Sequence, residues 1–367
     1  MIIATHLRVS IVGMSMSDFD ESDKPLIKED SGIATDVITV PDLSSSAQST
    51  SSDFHEESNE KKYDLNRMED ISELVRTRDE MLIKKNVKSH IDDILKGHTS
   101  LREFNCLFIL DEVNSITRVH AERIYAAIQD FDDTKNIVLF LRSSGGSAEA
   151  AYLISQLCNR FKKDKFVVSI PAEAKSAATL LSFGADEIHM GPMSELGPID
   201  IQVNGLPLLS VSSALTKIAS IVQEYPKSAS MFAEYLTKNL NIGLIGHYDR
   251  VTKSATQYAQ MLLQGKSDEN SRTVEDIANH FTNHYKDHGF VIDVTESKSV
   301  LGSNMVKDNT ELYMVGSKIL SFINNVEFSF LLHGVKTNIV VVGSGCEMMM
   351  DSSNNDEVLL SGVRGAC

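Results

Sequence analysis

NIVLFLRSSGGSAEAAYLISQLCNRFKKDKFVVSIPAEAKSAATLLSFGADEIHMGPMSELGPID, residues 136–200, is the stretch on which the fold turns. Three short apolar runs stand out in it: NIVLFL (136–141), KFVVSI (165–170) and DEIHMG (186–191). Each has the length and the β-branched content of a buried strand. Between them lie Ser147–Phe161 and the small-residue segment AKSAATLLSFGA, both of which read as helices. Strands of near-continuous Val, Ile and Leu separated by helices indicate a parallel sheet covered on both faces. The expected class is α/β.

The same alternation extends upstream. CLFIL (106–110) reads as a strand and SITRVHAERIYAAIQDF (115–131) as a helix. MEDISELVRTRDEMLIKK (68–85), with Ile71, Leu74 and Val75 at helical spacing, reads as one amphipathic helix. Beyond about Leu208 the pattern becomes mainly helical, through SALTKIASIVQEY, SMFAEYLTKNL, DRVTKSATQYAQMLLQG and TVEDIANHFTNHYKDHG. ELYMVGSKILSFINNVEF suggests a further helix and TNIVVVGSG a closing strand. Residues 1–62 are acidic and serine-rich, with too little apolar surface to offset chain entropy, and are expected to form a disordered tail. The expected organisation is therefore a tail (1–62), an α/β core (63–210), a helical extension completing it (211–350) and a flexible end (351–367).

Composition narrows the function classes. With 35 Lys and Arg against 51 Asp and Glu, the net charge is −16, and no basic stripe offers the phosphate contacts that nucleic acid needs. Cys106, Cys158, Cys346 and Cys367 lie far apart, which suggests neither a zinc site nor a disulfide framework and fits a reducing, cytoplasmic compartment. In MIIATHLRVSIVGMSM, His6 and Arg8 interrupt the apolar run that a signal peptide needs. No apolar run reaches the ~18 residues of a membrane span, so membrane association is expected to be peripheral at most. No GxGxxG joins a strand to a helix, and no cofactor is implied.

Two loops carry the chemistry. The first is Arg142-Ser143-Ser144-Gly145-Gly146-Ser147, a diglycine turn between a strand and a helix. Paired glycines let the backbone take positive φ and approach a ligand closely, although most such pairs are plain turns. The second is Lys175-Ser176-Ala177-Ala178-Thr179, ahead of a helix of small residues. A serine there is ordinarily an N-cap. The functional reading makes Ser176 a nucleophile, with the amide of Ala177 and one from the Gly145-Gly146 turn as paired donors to an oxyanion.

The order of diglycine loop, helix, strand, serine loop and helix, followed by GADEIHMGPMSELGPID (184–200), resembles the serine dehydrogenase proteinase family. That family sits in the S49, signal-peptide-peptidase-like clan of the Clp/crotonase fold. The resemblance is strong over Asn105–Gln202 and weaker on either side, reaching the pair His288-Gly289. Met193 and Ile201 depart from the pattern, where His and Pro are usual. The resemblance implies repeated β-β-α units around a parallel sheet, a serine peptidase acting on peptides or unfolded proteins, and a homo-oligomer. It assigns Ser176 as nucleophile, with Gly145 or Gly146 and Ala177 holding the oxyanion. Its lysine, some forty residues after the serine, corresponds to Lys217, which competes with the plain reading of a solvated helix lysine.

Other residues admit plainer roles. Lys175, next to Ser176, should point away from it and is a candidate for substrate contact. His189 reads as a satisfied core histidine, Asp186 as an anchor for its strand, and Asp200 falls in the region where Clp-type peptidases carry the rest of their triad. His280, His284 and His288 lie on one face of a predicted helix at i, i+4 and i+8, a spacing that could bind a metal, but they lack HExxH and read as a surface stripe. Two alternatives to peptidase stand: a crotonase-type acyl-CoA enzyme using the same two donors, and a catalytically silent assembly module of this fold.

Overall fold

Residues 107 and 109 of the first strand face one apolar core while 108 and 110 face another, which is why the strand sequences lack polar alternation. The computed structural model describes residues 61–199, 202–203, 206–239, 242–266 and 272–350. In chain order, the first half comprises α1 (Met68–Arg76), α2 (Glu80–Lys96), β1 (Phe104–Leu110), α3 (Arg118–Ile128), β2 (Asn136–Arg142), α4 (Ala148–Phe161), β3 (Phe166–Ser169), β4 (Glu173–Ala174), α5 (Ala177–Ser182), β5 (Glu187–Met190) and β6 (Glu195–Leu196). The second comprises β7 (Gln202–Val203), β8 (Leu206–Pro207), α6 (Leu208–Glu224), α7 (Ala229–Asn239), α8 (Ile242–Leu263), α9 (Val274–Asn279), α10 (Val294–Leu301), β9 (Val306–Asp308), α11 (Glu311–Leu332), β10 (Thr337–Gly343) and β11 (Gly345–Met350).

Seven strands form the main sheet in the order β11-β10-β1-β2-β3-β5-β9. The run from β1 to β9 is parallel, and β10 and β11 are added antiparallel. One face packs against α3, α4, α5 and α8, the other against α1, α2 and α11. The mostly parallel α/β architecture agrees with the sequence reading. The short strands β4 and β6 pair in parallel beside the main sheet, so β3-β4-α5 forms one of the β-β-α units. Residues after 211 supply α11 and the strands β9, β10 and β11 to the same sheet.

Three local expectations differ. The helix anticipated over 68–85 is two helices: Arg78 takes φ of +55°, and the Asp79 side chain caps α2 by accepting from the Leu82 amide at 3.0 Å. TNIVVVGSG closes the sheet but as the first arm of a hairpin, with Val342 opposite Gly345. The helix through the histidines stops early: α9 ends at Asn279, a π turn covers His280–His284, and Tyr285 is extended. His280 and His284 stack with ring centres 4.3 Å apart, and His288 leaves that face. Residues 1–60 and 351–367, and with them most of one expected tail and all of the other including Cys367, lie outside the described residues, as do Asp200 and Ile201.

Candidate active site

β2 runs past its last sheet residue into the diglycine turn, and β4 runs into the serine turn. The backbone ties these two turns side by side. Ser143 N donates to Glu173 O and Lys175 N donates to Ser143 O, both at 3.0 Å. Arg142 clamps the same junction, with Nη2 2.6 Å from Glu112 and Nε 2.8 Å from Glu173. Its neighbouring carboxylates outweigh the burial that opposes its charge, and its pKa is raised.

Gly145 has φ of +113° and Gly146 φ of +148°. A Cβ on Gly145 would stand 2.8 Å from the Ser176 Cβ, so the turn can lie against the serine only because residue 145 is glycine. Gly146 rests on Ile116 in the same way, since a Cβ there would be 2.4 Å from the Ile116 N and O. The Gly145 amide donates to Ser143 Oγ at 3.2 Å. Among the described residues, the amides of Gly146 and Ala177 have no acceptor.

Ser176 occupies the N-cap position of α5, but it accepts no capping hydrogen bond and takes φ +48°, ψ −114°. L-residues rarely adopt that conformation, and holding a serine there costs about 1–3 kcal/mol. All six residues of α5 are buried. Thr179 fixes the helix at its base: its Oγ1 is 2.6 Å from Ala174 O and accepts from Gly197 N at 3.0 Å. At the far end, the half-buried Lys266 ammonium donates to the carbonyls of Phe183 and Ala185. Desolvation lowers its pKa to about 7.

The serine opens into a cleft of about 670 Å³ lined by Gly145, Gly146, Ser176, Ala177, Tyr258 and His288, among others. Four of the residues assigned from the sequence (Ser176, Gly145, Gly146 and Ala177) are thus brought together. Lys217 is not among them. It is exposed on α6 and does not line the cleft. Lys175 turns away from Ser176 and pairs with Glu195 at 2.9 Å. His189 is buried between Thr310 and Glu187, at 2.7 and 3.3 Å, and desolvation lowers its pKa. Asp186 anchors its strand by accepting from Phe166 N at 2.7 Å.

The sequence reading missed the contribution of later segments to the cleft wall. α8 supplies Val251, Ser254, Ala255 and Tyr258. The π turn and the segment after it are stitched to the serine side, the turn through Ile199 N to Phe281 O (2.8 Å) and the segment through the Leu196–Ile292 bridge, and they bring His288 in. Only the weak family signal at His288-Gly289 pointed there.

Over 99 residues the chain is 34% identical to an uncharacterized protein of Methanocaldococcus jannaschii, covering 27% of this chain and 34% of that one. Over 144 residues it is 27% identical to a membrane-bound protease of Pyrococcus horikoshii, covering 36% and 32%. The matched stretches span about a third of the length of these curated relatives. The 1510-N membrane-bound stomatin-specific protease, solved as a mutant with a substrate peptide, matches at 18% identity and a TM-score of 0.34, covering 56% of this chain and 74% of that one. The membrane-bound description of the Pyrococcus relative overturns the expected cytoplasmic location. Among the described residues, no helix is long and apolar enough to cross a membrane. Residues 74–307 match the family described as ClpP-like SDH-type serine proteinases, a span that holds both turns and most of the sheet, and the chain belongs to that family.

Proposed function

We propose that this chain hydrolyses peptide bonds through Ser176, with Lys217 as the general base and the amides of Gly146 and Ala177 as the oxyanion hole. The observation that carries the reading is the contact of Gly145 with Ser176. It sets a strained serine beside two unclaimed main-chain donors from separate loops. Gly146 is preferred to Gly145 as donor because the Gly145 amide is already engaged by Ser143.

In the reaction the Ser176 hydroxyl attacks the scissile carbonyl and its proton passes to the Lys217 amine. The resulting oxyanion is held by the two amides, each worth about 3 kcal/mol in such sites. Collapse of the tetrahedral intermediate expels the amine product, which takes the proton from the lysine. Water then releases the acyl group by the same route in reverse. A lysine serves as base only where its amine is desolvated.

Lys217 is supported by its position 41 residues after Ser176 and by the family pattern. Its exposure on α6 requires that another surface cover it. Neither α7 nor the described side chains of α6 include a buried residue, although α6 carries Leu215, Ile218, Ile221 and Val222. A homo-oligomer in which a second copy packs on α6 and α7 supplies that cover.

His288 supports a second reading of the base, because it lines the cleft with Ser176. The test is cleavage of casein and of a short peptide, with fluorophosphonate labelling, by wild type and by Ser176→Ala, Lys217→Ala and His288→Ala. Loss of cleavage in the serine and lysine variants, with folding retained, is expected. Loss in His288→Ala but not Lys217→Ala moves the base to the histidine. No labelling of wild type, with acyl-CoA binding instead, favours crotonase chemistry.

A further inference from the structure

We propose that His120 is a positioning residue for the diglycine turn, acting through the loop 111–117 to hold the Gly146 amide where an oxyanion forms; this rests on the serine peptidase reading above. His120 lies in the first turn of α3 and is 6% exposed. Its Nδ1 accepts from the Thr117 amide at 3.2 Å, which leaves the ring proton on Nε2 to donate to Asp111 Oδ2 at 3.2 Å. Both ring nitrogens are therefore committed, and the ring is fixed in one orientation.

Asp111 directly follows β1 and is 2% exposed. Its Oδ1 accepts from the amides of Val113 and Asn114 at 3.0 and 2.7 Å, and the Asn114 side chain reaches both carboxylate oxygens at 3.2 and 3.0 Å. Burial alone raises this carboxyl's pKa, but the hydrogen bonds from His120 and Asn114 outweigh it and hold it below its ordinary range. The Asp111 amide in turn donates to Arg142 O at 3.1 Å, at the root of the diglycine loop.

Ile116 sits between Asn114 and Thr117, which with Val113 are the loop residues fixed by that pair, and the turn hangs on it from both sides. Its amide donates to Gly145 O at 2.7 Å, and its carbonyl accepts from Ser147 N at 2.8 Å. Gly146 lies flat against it. A shift of the loop is therefore passed to the Gly146 amide by backbone hydrogen bonds, with no flexible side chain between to absorb it. Misplacement by about 1 Å costs on the order of 100-fold in rate. A buried Asp–His pair is a poor source of stability, since desolvation offsets much of its attraction, whereas a committed ring fixes geometry well.

The test uses the full chain and reads fluorophosphonate labelling at Ser176, peptide kcat and KM, and thermal melting. His120→Leu removes both contacts. His120→Asn restores an acceptor facing the Thr117 amide, and Asn114→Ala weakens the Asp111 cage from the loop side. We expect His120→Leu to melt cooperatively and to lose about 10- to 100-fold in kcat and labelling rate, with KM within about twofold. His120→Asn should recover much of that loss, and Asn114→Ala should lose about 3- to 10-fold. A folded His120→Leu that labels like wild type overturns the proposal, as does a change confined to KM. Where His120→Leu does not fold, Asn114→Ala decides, and unchanged kcat there also overturns it. Wild type that fails to label removes the peptidase reading first, and the positioning role with it.

Discussion

Replacing Ser176 by glycine should make the protein more stable than replacing it by alanine, although on the proposed mechanism both variants lose activity. The hydroxyl is lost in each, so its contacts cancel in the comparison. What differs is the backbone. At φ +48°, ψ −114° an L-residue with a Cβ stores about 1–3 kcal/mol, which alanine keeps and glycine releases. Glycine's greater freedom in the unfolded chain returns about 0.5–1 kcal/mol of that. The balance favours Ser176→Gly by about 1 kcal/mol, or a melting temperature higher by about 2 °C for a unit of this size. Parallel calorimetric and urea melts of the two variants measure it. If Ser176→Gly melts at or below Ser176→Ala, the serine turn is relaxed, and the argument that the fold stores strain at the nucleophile fails.

Gly146→Ala should melt lower than wild type and, in the folded fraction, lose at least about 100-fold in labelling and kcat, because its Cβ must push the Ile116 backbone away and carry the amide with it; retained activity would place the donor elsewhere. Lys266 has a folded-state pKa lowered to about 7, so between about 7 and 10.5 the unfolded chain binds the extra proton and stability rises with pH across that window. Melts of wild type minus Lys266→Met, taken from pH 6.5 to 10, should show this rise, and a flat difference would refute it. Activity per chain should fall on dilution together with assembly mass, if burial of Lys217 needs a second copy; constant specific activity in a verified monomer would refute that requirement.

The sheet was legible because parallel strands buried on both faces announce themselves as unbroken apolar runs. Phe108 and Leu110 face α1, α2 and α11 while Leu107 and Ile109 face α3, so a stretch such as CLFIL is apolar at every position. The break between α1 and α2 was not legible by periodicity. Arg78 at positive φ is tolerated because Asp79 caps the next helix, a pairing that a count of apolar positions does not register. The early end of the histidine helix was hidden for a similar reason. TVEDIANHFTNHYKDHG keeps good helical spacing to its end, yet Phe281 O is taken by Ile199 and Leu196 pairs with Ile292. Those contacts pull the segment into the cleft wall, so tertiary pairing overrides local preference.

The same contrast explains which parts of the site could be read. Gly145, Gly146, Ser176 and Ala177 lie in two turns whose residue types are dictated by local backbone conformation: a Cβ is excluded at 145 and 146, and small residues are needed where α5 meets the sheet. Such constraints leave marks in the sequence itself. A general base leaves no such mark, because its fitness depends on what desolvates it, and that is supplied by distant segments or by another copy. Lys217 and His288 divide on this point. One has the family spacing but is exposed, and the other lines the cleft on a segment held there by the Ile199 and Leu196 contacts. On the proposed reading the nucleophile and its oxyanion donors are local properties of two turns, whereas proton transfer depends on what is brought to them, by α8 and the segment after the π turn for His288 or by a second copy packed on α6 for Lys217. Variants in the turns should therefore act on labelling and cleavage alike in any assembly state, whereas variants of the base should act in step with assembly if the lysine serves and independently of it if the histidine does.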